Sequence, residues 1–385
     1  MNRKQFIILL VLVVVVGAAG LLVRQNSSKS WQSAATAIGQ KLLPNLAVND
    51  IAQITIKSGA GELHLVRRDN LWRVRERGDY PANFSQISEL LLKLADLKIA
   101  QSEDIGPSQL SRFELQPPGA GTNSGTLVEF KDQSGKMLNS ILLGKKHLKK
   151  PAGNSPLGGM GDEGWPDGRY VMAGTGAKNL AVVSDPLDSV QSQPESWLNK
   201  DFLSIEKPRT IAVQFPETTN SWKLTRASET NDWQLADAKP DEKLDSSKIS
   251  GVTSPFSSPS FNDVSALNSS NAPSNSAVTV ETFDGFTYLA RIAPKQNENY
   301  PVTFSVSANI ASERPAAKDE KADDKTRLDK EFKERQSKLA EKLAKEKQFE
   351  NWIYQLPAYS VDEILKPRQQ LLAATETNTP AQTQK

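Results

Sequence analysis

Apolar residues recur at every second position in two separate stretches of the chain, and the two stretches share one pattern. The first carries Ile54 and Ile56, then Leu63 and Leu65 with Arg67, then Leu71, Trp72 and Val74. The second carries Ile211 and Val213, then Trp222 and Leu224 with Arg226, then Trp233 and Leu235. Alternation places such residues on one face of a strand, and the Gly, Asn and Ser between the runs supply turns, so each stretch predicts a small antiparallel meander. The match continues with Val128, Phe130, Asp132 and Gly135 against Val278, Val280, Asp284 and Gly285. It then sets Tyr170 and Val171 against Tyr300 and Val302, and Trp197 and Leu198 against Trp352 and Ile353. The offset between the copies far exceeds the roughly 20 to 50 residues of a solenoid repeat, which predicts two tandem domains of one type.

A helical period replaces the strand period at Ile87, Leu90, Leu91, Leu94 and Leu97, with Asn83 as N-cap and Gln86 completing a capping-box pattern. The second copy offers a shorter helix capped by Asp245, carrying Ile249 and Val252 and ended by Pro255 and Pro259. Two insertions distinguish the copies. Residues 145–169 read as a Gly/Pro-rich loop holding Trp165, and residues 312–350 read as a long charged helix. Along that helix Leu328, Phe332, Leu339 and Leu343 form a stripe too narrow for a core face but suited to a seam with another helix. The expected fold class is therefore α+β: an N-terminal transmembrane helix followed by two tandem similar domains, each a mostly antiparallel sheet with a packed helix.

The division that follows is an anchor at 1–24, a Ser/Gln/Ala spacer at 25–49, a first α+β domain at 50–205 and a second at 206–366. The charged insertion at 312–350 lies within the second, and residues 367–385 form a Thr/Gln-rich tail expected to be disordered. Residues 6–23 are almost unbroken Ile, Leu and Val between Arg3, Lys4 and Arg24. Such a run spans roughly 27 Å as a helix, longer than the apolar part of a cleaved signal, which favours a retained anchor over the alternative of cleavage in the small-residue stretch Gly17 to Gly20, and its basic leading flank stays in the cytoplasm. A bacterial inner-membrane protein with one span and its bulk in the periplasm is expected.

The chain has no cysteine, which excludes disulfides, thiolate catalysis and Cys-based zinc sites. A formal net charge of +2 gives no electrostatic case for nucleic acid. The two histidines, His64 and His147, are too few for a His-rich metal site; the first reads as a solvated strand residue and the second as part of a solvated basic turn with Lys145, Lys146, Lys149 and Lys150, the alternative for that run being an anion or lipid-headgroup contact. Gly159, Gly161 and Gly164 spell G-x-G-x-x-G, but the turn chemistry of Trp165, Pro166, Asp167 and Gly168 follows where a helix would be required. Asp162, Glu163 and Asp167 lack EF-hand spacing, and no G-x-S-x-G elbow is present. The chain is thus not expected to be an enzyme, and no catalytic, cofactor or metal residue is assigned. Trp72, Trp197, Trp222, Trp233 and Trp352 read as core, whereas Trp165, without a counterpart, joins the stripe Leu328, Phe332, Leu339 and Leu343 as a candidate partner contact.

The strand, Trp-x-Val strand, Pro-Ala-Asn and leucine-helix succession over residues 54–97 resembles the bacterial family known as domain of unknown function 4340. Leu110, Phe113, Leu115 and Pro118 support the resemblance at the family's Tyr/Phe-Gly-Leu-x-x-Pro signature, with Glu114 standing where the family commonly has Gly, which predicts a differently built turn. The resemblance implies an anchored extracytoplasmic protein accessory to a gliding-motility-type ABC transport system or envelope complex. The alternative is a periplasmic module binding a glycan or another envelope component, with the 145–169 loop or a cleft between the two copies expected to hold the ligand.

Overall fold

The computed structural model describes residues 38–373, except 122, 150–163, 175–178, 269–274 and 316–319. The chain divides into two compact units, residues 1–199 and 200–385. In unit 1 the strands are β1 (Gln53–Ser58), β2 (Gly61–Arg68), β3 (Leu71–Val74), β4 (Tyr80–Pro81), β5 (Ile99–Asp104), β6 (Thr126–Lys131), β7 (Met137–Lys149), β8 (Trp165–Ala173) and β9 (Asn179–Val183). They form one sheet in the order β4-β3-β2-β1-β6-β7-β8-β9-β5. Unit 2 contains β10 (Pro208–Gln214), β11 (Trp222–Thr225), β12 (Gln234–Leu235), β13 (Asp263–Ala266), β14 (Ser276–Thr282), β15 (Phe286–Ile292), β16 (Asn299–Ala308) and β17 (Trp352–Pro357). Their order is β12-β11-β10-β14-β15-β16-β17-β13. Apart from β4, the second order reproduces the first strand for strand. Neighbouring strands are antiparallel in both sheets.

Register makes the correspondence residue-specific. Ile54 stands opposite Leu65 and Phe130, as Ile211 stands opposite Leu224 and Val280. Trp72 lies across from Arg67, and in the second unit the Arg226 guanidinium lies 4.7 Å from the Trp233 ring. Two of the sequence pairings are corrected. Val171 faces Leu143 as Val302 faces Ile292, which sets Pro301, not Tyr300, beside Tyr170. Ala181 faces Val171 as Tyr354 faces Val302, so Trp352 occupies the place of Asn179 and not that of Trp197.

Trp197 instead matches Leu371, because each unit closes on itself by the same device. In unit 1, α1 (Phe84–Asp96) has Asn83 as N-cap, whose side chain accepts from the Gln86 amide at 3.2 Å. The Asn83 amide donates to the Trp197 carbonyl, Ala82 bridges Leu198, and the Asn199 amide returns to the Pro81 carbonyl. In unit 2, α2 (Ser246–Ile249) is capped by Asp245, whose amide donates to the Leu371 carbonyl; Leu244 bridges Leu372, and the Ala373 amide returns to the Lys243 carbonyl. Trp197 and Leu371 are both fully buried. Each terminal segment thus fixes the residue from which the helix starts, which satisfies backbone groups that would otherwise be stranded at the helix entrance.

These closures shift three expected boundaries. Residues 38–49 are partly packed: Leu42 and Leu43 are buried, and the Gly39 and Leu42 amides donate to the Ile99 and Leu97 carbonyls. Residues 200–205 belong to unit 2, where Phe202 lies against Phe261, Phe304, Phe349 and Tyr354 with ring centroids 4.4 to 5.4 Å apart. Residues 367–373, counted in the disordered tail, are structured; Arg368 is buried between Asp237 and Glu242. Ionic contacts across long sequence separations hold this end in place, and composition carries no sign of them.

Both units bury the alternating residues. Ile54, Ile56, Leu63, Leu65, Val128 and Phe130 are inaccessible in the first, and Ile211, Val213, Leu224, Val278 and Val280 nearly so in the second. Each such side chain contributes about 1.5 to 3 kcal/mol of transfer free energy. Helix α1 adds Ile87, Leu90, Leu91 and Leu94 to the buried set. The predicted anchor, residues 6–23, lies outside the described residues; among those described, no helix is long and apolar enough to cross a membrane.

Candidate functional site

The two ends of the first insertion, residues 145–149 and 165–169, pair as a β-ribbon. β7 and β8 stay paired beyond the sheet, with Lys146 opposite Arg169, His147 opposite Gly168, Leu148 opposite Pro166 and Lys149 opposite Trp165. Residues 150–163, the middle of the expected loop and more than half of it, lie outside the described part. A solvated two-stranded arm has no core face, so its sequence is free of the alternation that would mark it as strand.

Glycines set the base of this arm. A Cβ on Gly144 would come within 2.3 Å of the Phe113 carbonyl oxygen, and one on Gly168 within 2.2 Å of the Val183 carbonyl oxygen, so only glycine admits these approaches. Arg169 fills the same region. Its Nε donates to the Gly144 carbonyl at 2.8 Å and its Nη1 to the carbonyls of Pro186 and Leu187 at 3.2 and 3.4 Å. Burial pushes the guanidinium pKa down, while Asp188 and Glu114 oppose that shift. Lys145 Nζ lies 5.3 Å from the Phe113 ring centre and 5.8 Å from that of Tyr170, a cation over two aromatic faces. His147 Nδ1 is 2.6 Å from Asp167 Oδ1, and Lys146 Nζ is 2.6 Å from Asp188 Oδ1. Farther out, Trp165 is 53% exposed and Leu148 43%. His147 is therefore an ordered strand residue and not part of a loose turn.

The second insertion contains α3 (Ala322–Glu346), which connects β16 to β17. Its stripe residues Leu328, Phe332, Leu339 and Leu343 are half-buried. The helix is moored to its own unit at several points. Arg314 grips Glu320 through both Nη atoms at 2.7 and 2.6 Å and reaches Asp329 at 2.9 Å. Arg335 pairs with Asp284 in the β14–β15 turn. Lys342 donates to the Ser204 carbonyl at 3.1 Å and lies over the Phe286 ring.

At the C-terminal end of α3, Glu346 is 5% exposed and accepts from the Tyr288 hydroxyl at 2.7 Å, with Lys342 Nζ at 3.9 Å. Burial raises the Glu346 pKa, against the lowering effect of the Tyr288 hydrogen bond and of Lys342. Burial likewise pushes the Tyr288 phenol up, and the Glu346 contact adds to it. The sequence carries no signal for this pair, since Glu346 is one acid among many on a charged helix. Between α3 and the β14–β15 turn lies a cavity of about 220 Å³, lined by Phe283, Asp284, Ile310, Phe332, Arg335 and Leu339 among others.

The remaining sequence candidates fall as follows. His64 is held between Glu76, at 2.6 Å, and Glu62, at 3.1 Å, and is not simply solvated. Trp72, Trp197 and Trp222 are buried, Trp233 and Trp352 half-buried. Asp162, Glu163 and most of the G-x-G-x-x-G stretch lie outside the described residues. No group of three or more His, Cys, Asp or Glu that could hold a metal ion occurs among the described residues.

The structure is thus a protein of mostly antiparallel sheets with helices, of α+β type. Residues 72–151 match the model of the family described as Domain of unknown function (DUF4340), the family that the sequence resembles. The matched segment runs from β3 through α1 to the base and outward strand of the arm. No curated protein and no solved structure matches the chain. Within the matched segment Glu114 has φ 55° and ψ 37°, the left-handed conformation that glycine enters freely. Glu114 therefore takes up a glycine-type turn, contrary to the expectation of a different construction.

Proposed function

We propose that the chain is a membrane-anchored extracytoplasmic structural or interaction protein, an accessory component of a gliding-motility-type ABC transport or envelope complex. Residues 6–23 hold it in the bacterial inner membrane, and both units lie in the periplasm. The observation that carries this reading is the repetition of one strand order in two units that differ chiefly in an arm and a charged helix. A shared scaffold with differing projections suits recognition of partners, since loops and excursions on a rigid sheet carry specificity. The family match is to a domain of unknown function; the anchored, transporter-associated part of the reading rests on the apolar run at residues 6–23 and on the resemblance stated from the sequence.

The test is purification of the tagged chain from its native membrane, together with a C-terminal reporter active only in the periplasm. Recovery of an ABC ATPase and permease is the expected outcome. A cytoplasmic reporter signal, or recovery without any transporter subunit, overturns the reading. The cavity beside α3 favours one alternative, a periplasmic ligand-binding module for a glycan or envelope component. A ligand that protects Phe332 and Arg335 from exchange or modification would favour it.

A further inference from the structure

The cavity beside α3 lies wholly within unit 2, and its walls are of two kinds. Phe283, Ile310, Phe332 and Leu339 supply apolar surface, and Phe332, Arg335 and Leu339 come from one face of α3, three and four residues apart. Another side is the tight β14–β15 turn, where a Cβ on Gly285 would come within 2.5 Å of the Asn309 carbonyl oxygen, so only glycine lets the turn lie this close. At about 220 Å³ the space exceeds the roughly 150 Å³ of an apolar cavity that holds benzene. A single ring with one small substituent fits it, whereas a sugar would set its hydroxyls against apolar walls.

Charge selects among such ligands. The Asp284 side chain is 19% exposed and is held by two cations, Arg335 at Oδ1 and Lys207, whose Nζ lies 3.5 Å from Oδ2. Two cations against one carboxylate leave a positive charge in excess, and the Arg226 guanidinium, 5.6 Å from the Phe283 ring centre, adds to it. The acids of the neighbouring segments do not cancel that excess: Glu281 is paired with Arg209, Glu334 with Lys330 and Glu206 with Lys342. Residues 312–321 set Glu313, Asp319 and Glu320 against Arg314, Lys318 and Lys321 and are neutral as a whole. Arg335 is 61% exposed and gives Asp284 its Nη2, which leaves Nε and Nη1 for the two-point grip of an incoming carboxylate. Lys207 keeps Asp284 neutralised while Arg335 is shared.

We propose that this cavity is a binding site for a small monoanionic acid with a compact apolar body, whose carboxylate is gripped by Arg335 and whose body lies against Phe283, Ile310, Phe332 and Leu339. The proposal rests on the ligand-binding alternative, in that unit 2 holds a ligand, and replaces the glycan by an acid.

Benzoate is the probe, with benzyl alcohol as its uncharged counterpart, benzylamine as its cationic one and N-acetylglucosamine as the sugar. On the full-length chain in detergent micelles, calorimetric titration should show saturable benzoate binding with a Kd on the order of 1 mM or below. Amide exchange should slow at residues 309–311 and 332–339, the segments that line the cavity. Benzyl alcohol on the unaltered chain, and benzoate on Arg335→Gln in the same micelles, should each bind at least about ten-fold more weakly. Thermal melts check that the variant is folded, and the ligand series decides without any variant. Equal binding of benzoate by Arg335→Gln overturns the proposal, as does tighter binding of benzylamine than of benzoate. Binding of N-acetylglucosamine in preference to benzoate, with the same segments protected, overturns the proposal and leaves the ligand-binding reading standing. Saturation by none of the four overturns the proposal and removes the cavity from that reading as well.

Discussion

The two units repeat a strand order yet spend their extra residues at different places. In unit 1, β7 and β8 are extended into an arm, and the step from β8 to β9 is short. In unit 2 the equivalent hairpin, β15 to β16, closes tightly, and the following step from β16 to β17 takes in α3. The interior follows the same division: unit 1 closes on Trp197, whereas unit 2 closes on Leu371 and gathers Phe202, Phe261, Phe304, Phe349 and Tyr354 into a separate aromatic cluster. Register and closure are thus the constant part of the architecture. Connections and side-chain volume are free to vary around them, because insertion into a surface connection costs little while a register slip reverses every side chain.

The closure equivalence can be broken directly. Trp197→Ala should destabilise by about 3 to 5 kcal/mol, through its cavity and through loss of the indole bond to the Gln191 carbonyl at 2.8 Å. Leu371→Ala, at the corresponding place, should cost about 2 to 5 kcal/mol. Amide exchange followed by mass spectrometry locates each effect: the first should raise exchange at Asn83 and the start of α1, the second at Asp245 and the start of α2. A loss under about 1 kcal/mol for Leu371→Ala would mean that the second closure is a contact without weight.

Why this device escapes a sequence reading is instructive. Alternation exposed β1, β2, β10 and β11 because each has a buried and a solvated face, and helical spacing with a capping residue exposed α1. The closing segments are short turns of 3-10 type whose matched positions hold Trp197 and Leu371, with no residue type in common. Pairing by identity and by a similar offset therefore drew Trp197 to Trp352. The outer arm lacked a buried face, and the packing of residues 38–49 and 367–373 depends on distant partners such as Asp237 and Glu242. For the candidate surfaces, Trp165 and the α3 stripe were legible, but the moorings of that stripe and the Glu346–Tyr288 pair were not.

The half-burial of the stripe sharpens the contrast between arm and helix. Leu339→Ser with Leu343→Ser should destabilise unit 2 by about 1 to 3 kcal/mol, since part of each leucine is already out of water. A stability change within about 0.5 kcal/mol would return the stripe to the status of a free seam.

Two carboxylates of unit 2 should respond to pH with opposite sign. Burial raises Glu346, so its contribution is fully present below the unfolded value near 4.5 and is lost as pH rises through the raised folded value. Glu242 is lowered to about 2, first by its hydrogen bond from Arg368, so its contribution is present above 4.5 and is lost as pH falls toward 2. Thermal melts across this range should show Glu346→Gln flattening the upper limb and Glu242→Gln the lower. The reverse assignment would contradict the burial and pairing described for both groups.

The smallest expected effect bears on the turn inside the matched segment. Glu114 is left-handed, its amide donating to the Ser111 carbonyl while the Leu115 amide donates to the Leu110 carbonyl. A non-glycine residue pays about 1 to 2 kcal/mol for that conformation, and glycine returns part of the gain through the greater freedom of its unfolded state. Glu114→Gly should therefore stabilise unit 1 by up to about 1 kcal/mol, a rise of a few degrees in its melting temperature. Glu114→Ala keeps the Cβ and removes only the carboxylate, so it isolates the backbone contribution and should give no such gain. Equal stabilisation by both variants would instead assign the cost to the carboxylate; destabilisation by the glycine variant would show that the Glu114 side chain supports the turn.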